Sequence, residues 1–180
     1  MAENETFVTT GERADLLGLL ADQRHNLLIT VRGIDDEQAR ARTTVSELTL
    51  GGLIKHVTRT ERNWLESIRE PDENAEFDMA DAAASHAMTG DETIAGLIDD
   101  YRKVAAETER TIAALDDLDT LIPLPTAPWA PERQWWTARR VLLHVLRETA
   151  QHSGHADIIR ESLDGANTTR QMGEDAGMEF

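Results

Sequence analysis

The sequence predicts an all-α protein, and specifically a four-helix bundle with long crossover connections. Two observations lead to this fold class. Apolar residues recur mainly at helical spacing, in four segments long enough to form the helices of a bundle. The second, third and fourth of these segments are separated by roughly 20 residues, which is too long for tight hairpins. We find no convincing sequence pattern for a strand.

The boundaries of the four predicted helices follow from where the apolar stripes begin and end. They cover residues 12–32, 48–70, 92–115 and 137–163. Gly33, Pro71 and Gly165 stand just after the first, second and fourth helix, where these residue types end helices. Asp91 is the expected N-cap of the third helix, and segment 35–41 is expected to add one more helical turn.

The connection before the fourth helix and the C-terminus are expected to be irregular. Residues 121–136 contain four of the chain's five prolines, which exclude a regular helix. The three tryptophans of this segment are expected to plug the end of the bundle rather than to wall a pocket. We expect one domain over residues 1–167, followed by a polar, flexible tail over residues 168–180.

Composition excludes several classes of function. The formal net charge is −16, which repels phosphate backbones and anionic lipid surfaces, so nucleic acids and membranes are not expected partners. The N-terminus has no signal-peptide pattern, which favours a cytoplasmic protein. Nine carboxylates fall within residues 71–100, and we expect them to face solvent, away from any site. Because the chain has no cysteine, it has no thiol nucleophile of its own.

A row of ionisable residues on the fourth predicted helix is the strongest functional signal. His144, Glu148, His152 and His155 project within about 80° of one another, on a face that also carries apolar residues. Burying an unpaired carboxylate there is costly, and a divalent cation is one way to compensate it. Glu148 and His152 are four residues apart and can reach one ion. A hydrogen-bond network without metal is the alternative.

A third ligand is expected from another helix. His56, on the second helix, is the best candidate, although it lies at the flank of that helix's apolar stripe, and periodicity alone leaves its role open. His25 and His86 carry no such pattern. We interpret them as surface histidines or as core histidines with satisfied hydrogen bonds.

Two motifs carry a family resemblance. GGLIKHVTRTERNW, which contains His56, and HVLRETAQHSGHADIIRESLDG, which contains Glu148 and His152, resemble the DinB-like superfamily. They are most similar to its actinobacterial branch, which resembles the metal-binding domain of mycothiol-dependent maleylpyruvate isomerase. The resemblance covers most of residues 11–165. It implies a four-helix bundle that binds one divalent metal, zinc or nickel, through His56, Glu148 and His152.

The resemblance also implies a reaction and its partners. We expect a metal-dependent thiol S-transferase that uses mycothiol to attack an electrophilic small molecule, and a homodimer is a possible assembly. His155 and His144 are the candidate catalytic residues, as proton carriers or as partners of the ligands. Arg160 and Asp157 are candidates for orienting the co-substrate. The alternatives are a metal-dependent hydrolase or isomerase, and a non-catalytic bundle that binds a metal or a small molecule.

Overall fold

The computed structural model describes residues 9–178, and over this range the chain is largely helical. Its helices are α1 (Glu12–Thr30), α2 (Asp36–Arg40), α3 (Leu50–Arg69), α4 (Met79–Ala84), α5 (Ile94–Ala114), α6 (Ala138–Asp164) and α7 (Thr168–Asp175). Two three-residue strands, β1 (Leu121–Pro123) and β2 (Trp135–Thr137), form an antiparallel pair. The all-α fold class is therefore confirmed, as are the four long helices and the extra turn, which is α2.

The four long helices pack as a bundle in which chain order and spatial order differ. α1 packs mainly against α6, whereas α3 packs against both α5 and α6. Consequently α1 and α3 stand at opposite corners, as do α5 and α6. The long connections over residues 31–49 and 115–137 thus cross the bundle, while residues 70–93 join two neighbouring helices. Long crossover connections are confirmed, and the packing shows which connections cross.

Apolar side chains from all four long helices build the core. One cluster includes Leu27 of α1, Ile54 of α3, Tyr101 of α5 and Ile159 of α6, each at most 3% exposed. A second cluster, around Ile112, lies towards the strand pair. Burial of such side chains, at about 25 cal/mol per Å² of apolar surface, is the main force that holds the helices together.

Threonines begin three of the long helices. The side chains of Thr49, Thr93 and Thr137 each accept a hydrogen bond from a backbone N–H three residues later, at 3.1–3.2 Å. The expectation that Asp91 caps the N-terminus of α5 is therefore wrong. Its carboxylate accepts instead from the hydroxyl of Thr89, at 2.6 Å. The cap moves to Thr93 because the first helical residue is Ile94.

An ion pair lies inside the bundle, where the apolar pattern gave no sign of one. Arg24 of α1 and Glu61 of α3 are 5% and 1% exposed, and their side chains contact each other across the core. Thr108 of α5 donates a 2.6 Å hydrogen bond to the same carboxylate. Glu109 is a second partner of Arg24, at 3.1 Å. The pair links the diagonal helices α1 and α3.

The proline-rich segment contains the strand pair that the sequence pattern did not reveal. Leu121 pairs with Thr137 and Pro123 with Trp135, so the segment folds back on itself before α6. Trp136 stacks on Trp64 of α3, with ring centroids 5.4 Å apart. By contrast, Trp129 and Trp135 are 65% and 43% exposed, so only Trp136 behaves as the expected plug.

The C-terminal segment also differs from expectation. Thr168–Asp175 form α7 rather than part of a flexible tail, and the side chain of Asn167 caps this helix by accepting from the N–H of Arg170, at 2.9 Å. Residues 179 and 180 of the predicted tail lie outside the described residues. Asp175 of α7 forms a 2.9 Å ion pair with Arg32, just beyond α1. The segment becomes helical because it is capped and packed. Within residues 9–178, none of the helices is long and apolar enough to span a membrane.

Candidate metal centre

Packing of α3 against α6 brings three potential ligands together. His56 comes from α3, and Glu148 and His152 come from adjacent turns of α6. One donor atom from each lies within 4.8 Å of the others. The Nε2 atom of His152 is 3.7 Å from Oε2 of Glu148. All three side chains are partly buried, so the centre lies between the two helices at an accessible position.

The donor set fits a divalent cation. Zinc binds imidazole nitrogen and carboxylate oxygen at about 2.0–2.2 Å, which places neighbouring tetrahedral ligands roughly 3.4 Å apart. The 3.7 Å separation on α6 is close to this value, and the outer limit of 4.8 Å requires only a small contraction of the side chains. Two imidazoles and one carboxylate suit zinc or nickel, and three protein ligands leave room for an exogenous one.

The environment keeps both histidine ligands neutral, as metal binding requires. Burial lowers the pKa of His56 to about 4, and the neighbouring rings of His86 and His152 add to this effect. Burial also lowers the pKa of His152, although Glu148 opposes the shift. At neutral pH each of these rings therefore carries a single proton, and its other nitrogen has a free lone pair for a metal.

His155 lies where it can orient a ligand. Its Nδ1 is 3.4 Å from Nδ1 of His152, and the two ring centroids are 5.4 Å apart. The remaining ring nitrogen of His152, Nε2, faces Glu148. A partner on the far nitrogen of a metal-binding histidine sets its tautomer and orientation. The structure thus places His155 beside the ligand set, one helical turn beyond His152.

His144 lies on the other side of Glu148, among aromatic rings. Its Nδ1 accepts a hydrogen bond from Arg147 at 2.8 Å and lies 3.8 Å from the Glu148 carboxylate. Its ring meets the edges or faces of Trp64 and Trp136, with centroids 5.1 and 5.4 Å away. Burial lowers the pKa of His144, so this imidazole is held neutral.

Arg160 and Asp157 make contacts that tie helices together. The guanidinium of Arg160 donates hydrogen bonds to the carboxylate of Asp164 and to the backbone carbonyls of Thr30 and Arg32. The two carbonyl contacts are 2.9 and 2.8 Å long. The carboxylate of Asp157 accepts from the backbone N–H and the hydroxyl of Thr168, at the start of α7. Because these polar groups are engaged at the ends of α1 and α7, we do not assign them to the co-substrate.

Ser85 and His86 also lie beside His56, and the sequence pattern did not predict this because both come at the end of α4 or just after it. Ser85 is 3.2 Å from Nδ1 of His56, and the ring of His86 stacks on His56 with a centroid distance of 4.4 Å. Neither lies on a helical stripe, and 29 residues separate Ser85 from His56. The only signal was the adjacent glycine pair Gly51–Gly52, whose consequence depends on tertiary packing.

A cleft of about 1050 Å³ leads from His56 along α3 to the surface. Trp64 and Phe77 contribute aromatic walls, and Asn63 contributes an amide. Six carboxylates also line it: Glu66, Glu70, Asp72, Glu76, Asp78 and Asp81. The expectation that the acidic segment lies away from the site is therefore wrong, since residues 72–82 fold back along α3.

Comparisons with known proteins agree with this architecture. A family model described as Mycothiol-S-transferase matches residues 15–165, which is most of the chain. A solved structure, titled "Crystal structure of the conserved protein of locus from Enterococcus faecalis", superposes with a TM-score of 0.67 at 15% identity. It covers 88% of this chain and 100% of the other, and at this identity it supports the fold alone. No curated protein sequence matches significantly. The chain belongs to the mycothiol S-transferase family of the DinB-like superfamily.

Proposed function

We propose that this protein is a divalent-metal-dependent thiol S-transferase that uses mycothiol, with zinc or nickel held by His56, Glu148 and His152. The observation that carries this proposal is the position of His56, which belongs to the triad and also lines the large cleft. A small molecule in the cleft would therefore lie next to a metal held by the triad. The family match supports a reaction of this class.

The composition of the chain determines where the nucleophile comes from. The protein has no cysteine, so the reacting sulfur arrives with the co-substrate. A divalent cation held by His56, Glu148 and His152 would stabilise the thiolate form of this co-substrate at neutral pH. In the transfer, the thiol loses its proton to solvent or to a neighbouring base, a sulfur–carbon bond forms, and the electrophile loses its leaving group with the bonding electron pair. His155, beside His152, and His144, beside Glu148, flank the proposed ligands on α6 and are the candidates to take up this proton.

The charge of the cleft favours an uncharged thiol. Six carboxylates face three arginines there, and two of the arginines are already paired, Arg59 with Asp81 and Arg62 with Asp100. Glutathione carries two carboxylates, which this cleft would repel. Mycothiol carries its thiol on a neutral, hydroxyl-rich glycoside. Carboxylates can accept hydrogen bonds from hydroxyl groups, amides can both donate and accept, and aromatic faces such as Trp64 can pack against sugar rings.

The first experiment tests the metal centre. Protein purified without an affinity tag should contain close to one zinc or nickel per chain by elemental analysis, or should rebind one after chelation. His56→Ala should lower metal affinity by at least about 100-fold, because one of three ligands is lost. His25→Ala, which changes an exposed histidine of α1, is the matched control and should bind normally. Unchanged binding in His56→Ala would contradict the ligand set.

The second experiment tests the reaction. Metal-loaded protein is mixed with 1-chloro-2,4-dinitrobenzene and with mycothiol, bacillithiol or glutathione, and conjugate formation is followed by absorbance. We expect mycothiol to react fastest, with glutathione at least about tenfold slower because of charge repulsion. Metal binding without thiol-dependent turnover would instead favour a hydrolase or isomerase that uses bound water. Failure to bind metal would favour a non-catalytic bundle.

The proposed co-substrate also suggests a compartment. Low-molecular-weight thiols are kept reduced in the cytoplasm, whereas they are oxidised outside it. We therefore propose that the protein acts in the cytoplasm. Fractionation followed by immunodetection tests this assignment, and recovery in the culture medium would contradict it.

A further inference from the structure

The segment that follows α4 is pressed against α3 next to the metal centre. The backbone carbonyl of His86 lies so close to Gly52 that a Cβ at that position would collide with it, and a Cβ at Gly51 would collide with the side chain of Met88. Gly52 precedes His56 by one helical turn on α3. The glycine pair therefore allows a close approach that sets Ser85 and His86 beside the ring of His56.

The hydrogen bonds of Ser85 show whether its hydroxyl donates to His56 or accepts from it. Ser85 is 3% exposed, and its hydroxyl donates its single hydrogen to the carbonyl of Ala82, at 2.7 Å. The hydroxyl oxygen is then left as an acceptor, 3.2 Å from Nδ1 of His56. Nδ1 must therefore carry the imidazole proton, and Nε2 carries the free lone pair.

We propose that Ser85 is a positioning residue of the metal centre, which holds His56 in the Nδ1–H tautomer so that Nε2 is the ligand atom. This inference rests on the metal centre of the proposed function, and it adds a residue outside the ligand set. It also makes the two histidine ligands alike, because His155 contacts Nδ1 of His152 as Ser85 contacts Nδ1 of His56. At His56 the proton on Nδ1 leaves Nε2 for the metal, and at His152 the same follows if Nδ1 donates to His155.

The first test measures metal affinity, which does not require turnover. Zinc is titrated into chelator-treated protein in competition with a chromophoric chelator. Ser85→Ala should weaken zinc binding by about 10–100-fold, and Ser85→Thr, which keeps the hydroxyl, should stay within about threefold of the original protein. Zinc affinity of Ser85→Ala within threefold of the original would overturn the proposal.

The neighbouring residue provides a matched comparison. His86→Ala removes a ring that stacks on His56 but leaves the Ser85 hydroxyl in place. We expect its loss of zinc affinity to be at least fivefold smaller than that of Ser85→Ala. Equal losses in both variants would show that packing of the segment, rather than the hydroxyl, supports the metal centre.

The second test reads the tautomer directly in metal-free protein. Two-bond ¹⁵N–¹H correlation spectra near neutral pH distinguish the protonated from the unprotonated ring nitrogen of His56. We expect the Nδ1–H form in the original protein and in Ser85→Thr, and a mixture or the Nε2–H form in Ser85→Ala. The Nε2–H form in the original protein would refute the role of Ser85. This result is independent of metal binding, so it separates failure of Ser85 from failure of the proposed function.

A third variant tests whether the close approach of the His86 carbonyl to Gly52 positions Ser85. Gly52→Ala should displace the carbonyl of His86, move Ser85 away from His56 and weaken zinc binding by about the same factor as Ser85→Ala. Gly18→Ala on α1 is the matched control, since a Cβ there meets no atom within 4 Å. It should keep full affinity. Full zinc affinity in Gly52→Ala, with helical content retained by circular dichroism, would show that Gly52 is not needed to position Ser85.

Discussion

At the scale of single residues, the surroundings of a side chain decide its chemistry. His56, His144 and His152 all have a pKa below the ordinary value, with burial as the largest cause in each case. Helical periodicity singled out four of the five histidines near the centre, three on α6 and His56 on α3, but it carried no information about these shifts. For His86 the sequence indicated only a surface histidine or a core histidine with satisfied hydrogen bonds, because its approach to His56 depends on how a connection folds.

The lowered pKa of His56 predicts how stability depends on pH. The unfolded chain protonates this residue near its ordinary pKa of 6.5, whereas the folded protein resists protonation down to about 4. Protons therefore favour the unfolded state, and stability contributed by the neutral ring is lost as pH falls from 6.5 towards 4. The slope from this one residue should stay below about 1.4 kcal/mol per pH unit, since solvent screens a half-buried ring.

Urea denaturation of metal-free protein between pH 4 and 7 measures this dependence. His56→Gln should show a smaller loss of unfolding free energy across the interval than the original protein. His25→Gln, at an exposed position of α1, should follow the original curve. A His56→Gln curve parallel to the original would mean that His56 has the same pKa in both states.

At the scale of secondary-structure elements, helical spacing predicted the long helices to within a few residues, because each has a continuous apolar stripe. The short elements were harder to predict. The strand pair forms through backbone hydrogen bonds between Leu121–Pro123 and Trp135–Thr137, a contact that no local pattern encodes. Likewise, α7 depends on Asp157 and Arg32, which belong to other parts of the bundle. Elements whose partners are distant in sequence lack a local signal.

Arg160 connects two helices, because it lies on α6 and hydrogen-bonds the chain at the end of α1. Its side chain is 8% exposed and holds the carbonyls at the end of α1 together with Asp164 of α6. Arg160→Ala leaves these buried acceptors unsatisfied, so the free energy of unfolding should fall by about 2–4 kcal/mol in urea denaturation. Zinc affinity should stay within about threefold of the original. A large loss of zinc affinity with an unchanged free energy of unfolding would instead indicate that Arg160 belongs to the functional site.

At the scale of the whole molecule, the proposed metal centre joins two helices that no short connection links. Because His56 belongs to α3 and the other two ligands belong to α6, the triad exists only in the folded bundle. Metal binding should therefore stabilise the fold. At a free zinc concentration 100 times the dissociation constant, the gain is about 2.7 kcal/mol, which corresponds to a rise in Tm of roughly 5–10 °C.

Differential scanning fluorimetry with and without zinc checks this linkage. His152→Gln should lose most of the zinc-dependent rise, and a chelator should reverse it in the original protein. Magnesium, which prefers oxygen ligands, should have little effect at the same concentration. An equal rise in His152→Gln would show that zinc stabilises the protein at a different site.

The sequence by itself determined the helical fold class, the extents of the long helices and the residue types of the centre. These follow from local physics, since apolar periodicity and the four-residue spacing of Glu148 and His152 operate within single helices. Tertiary structure alone decided how the acidic segment folds along the cleft, which residues contact His56 and His152, and that Arg160 binds helix ends. These outcomes depend on contacts between segments distant in the chain, whose geometry appears only when the helices pack.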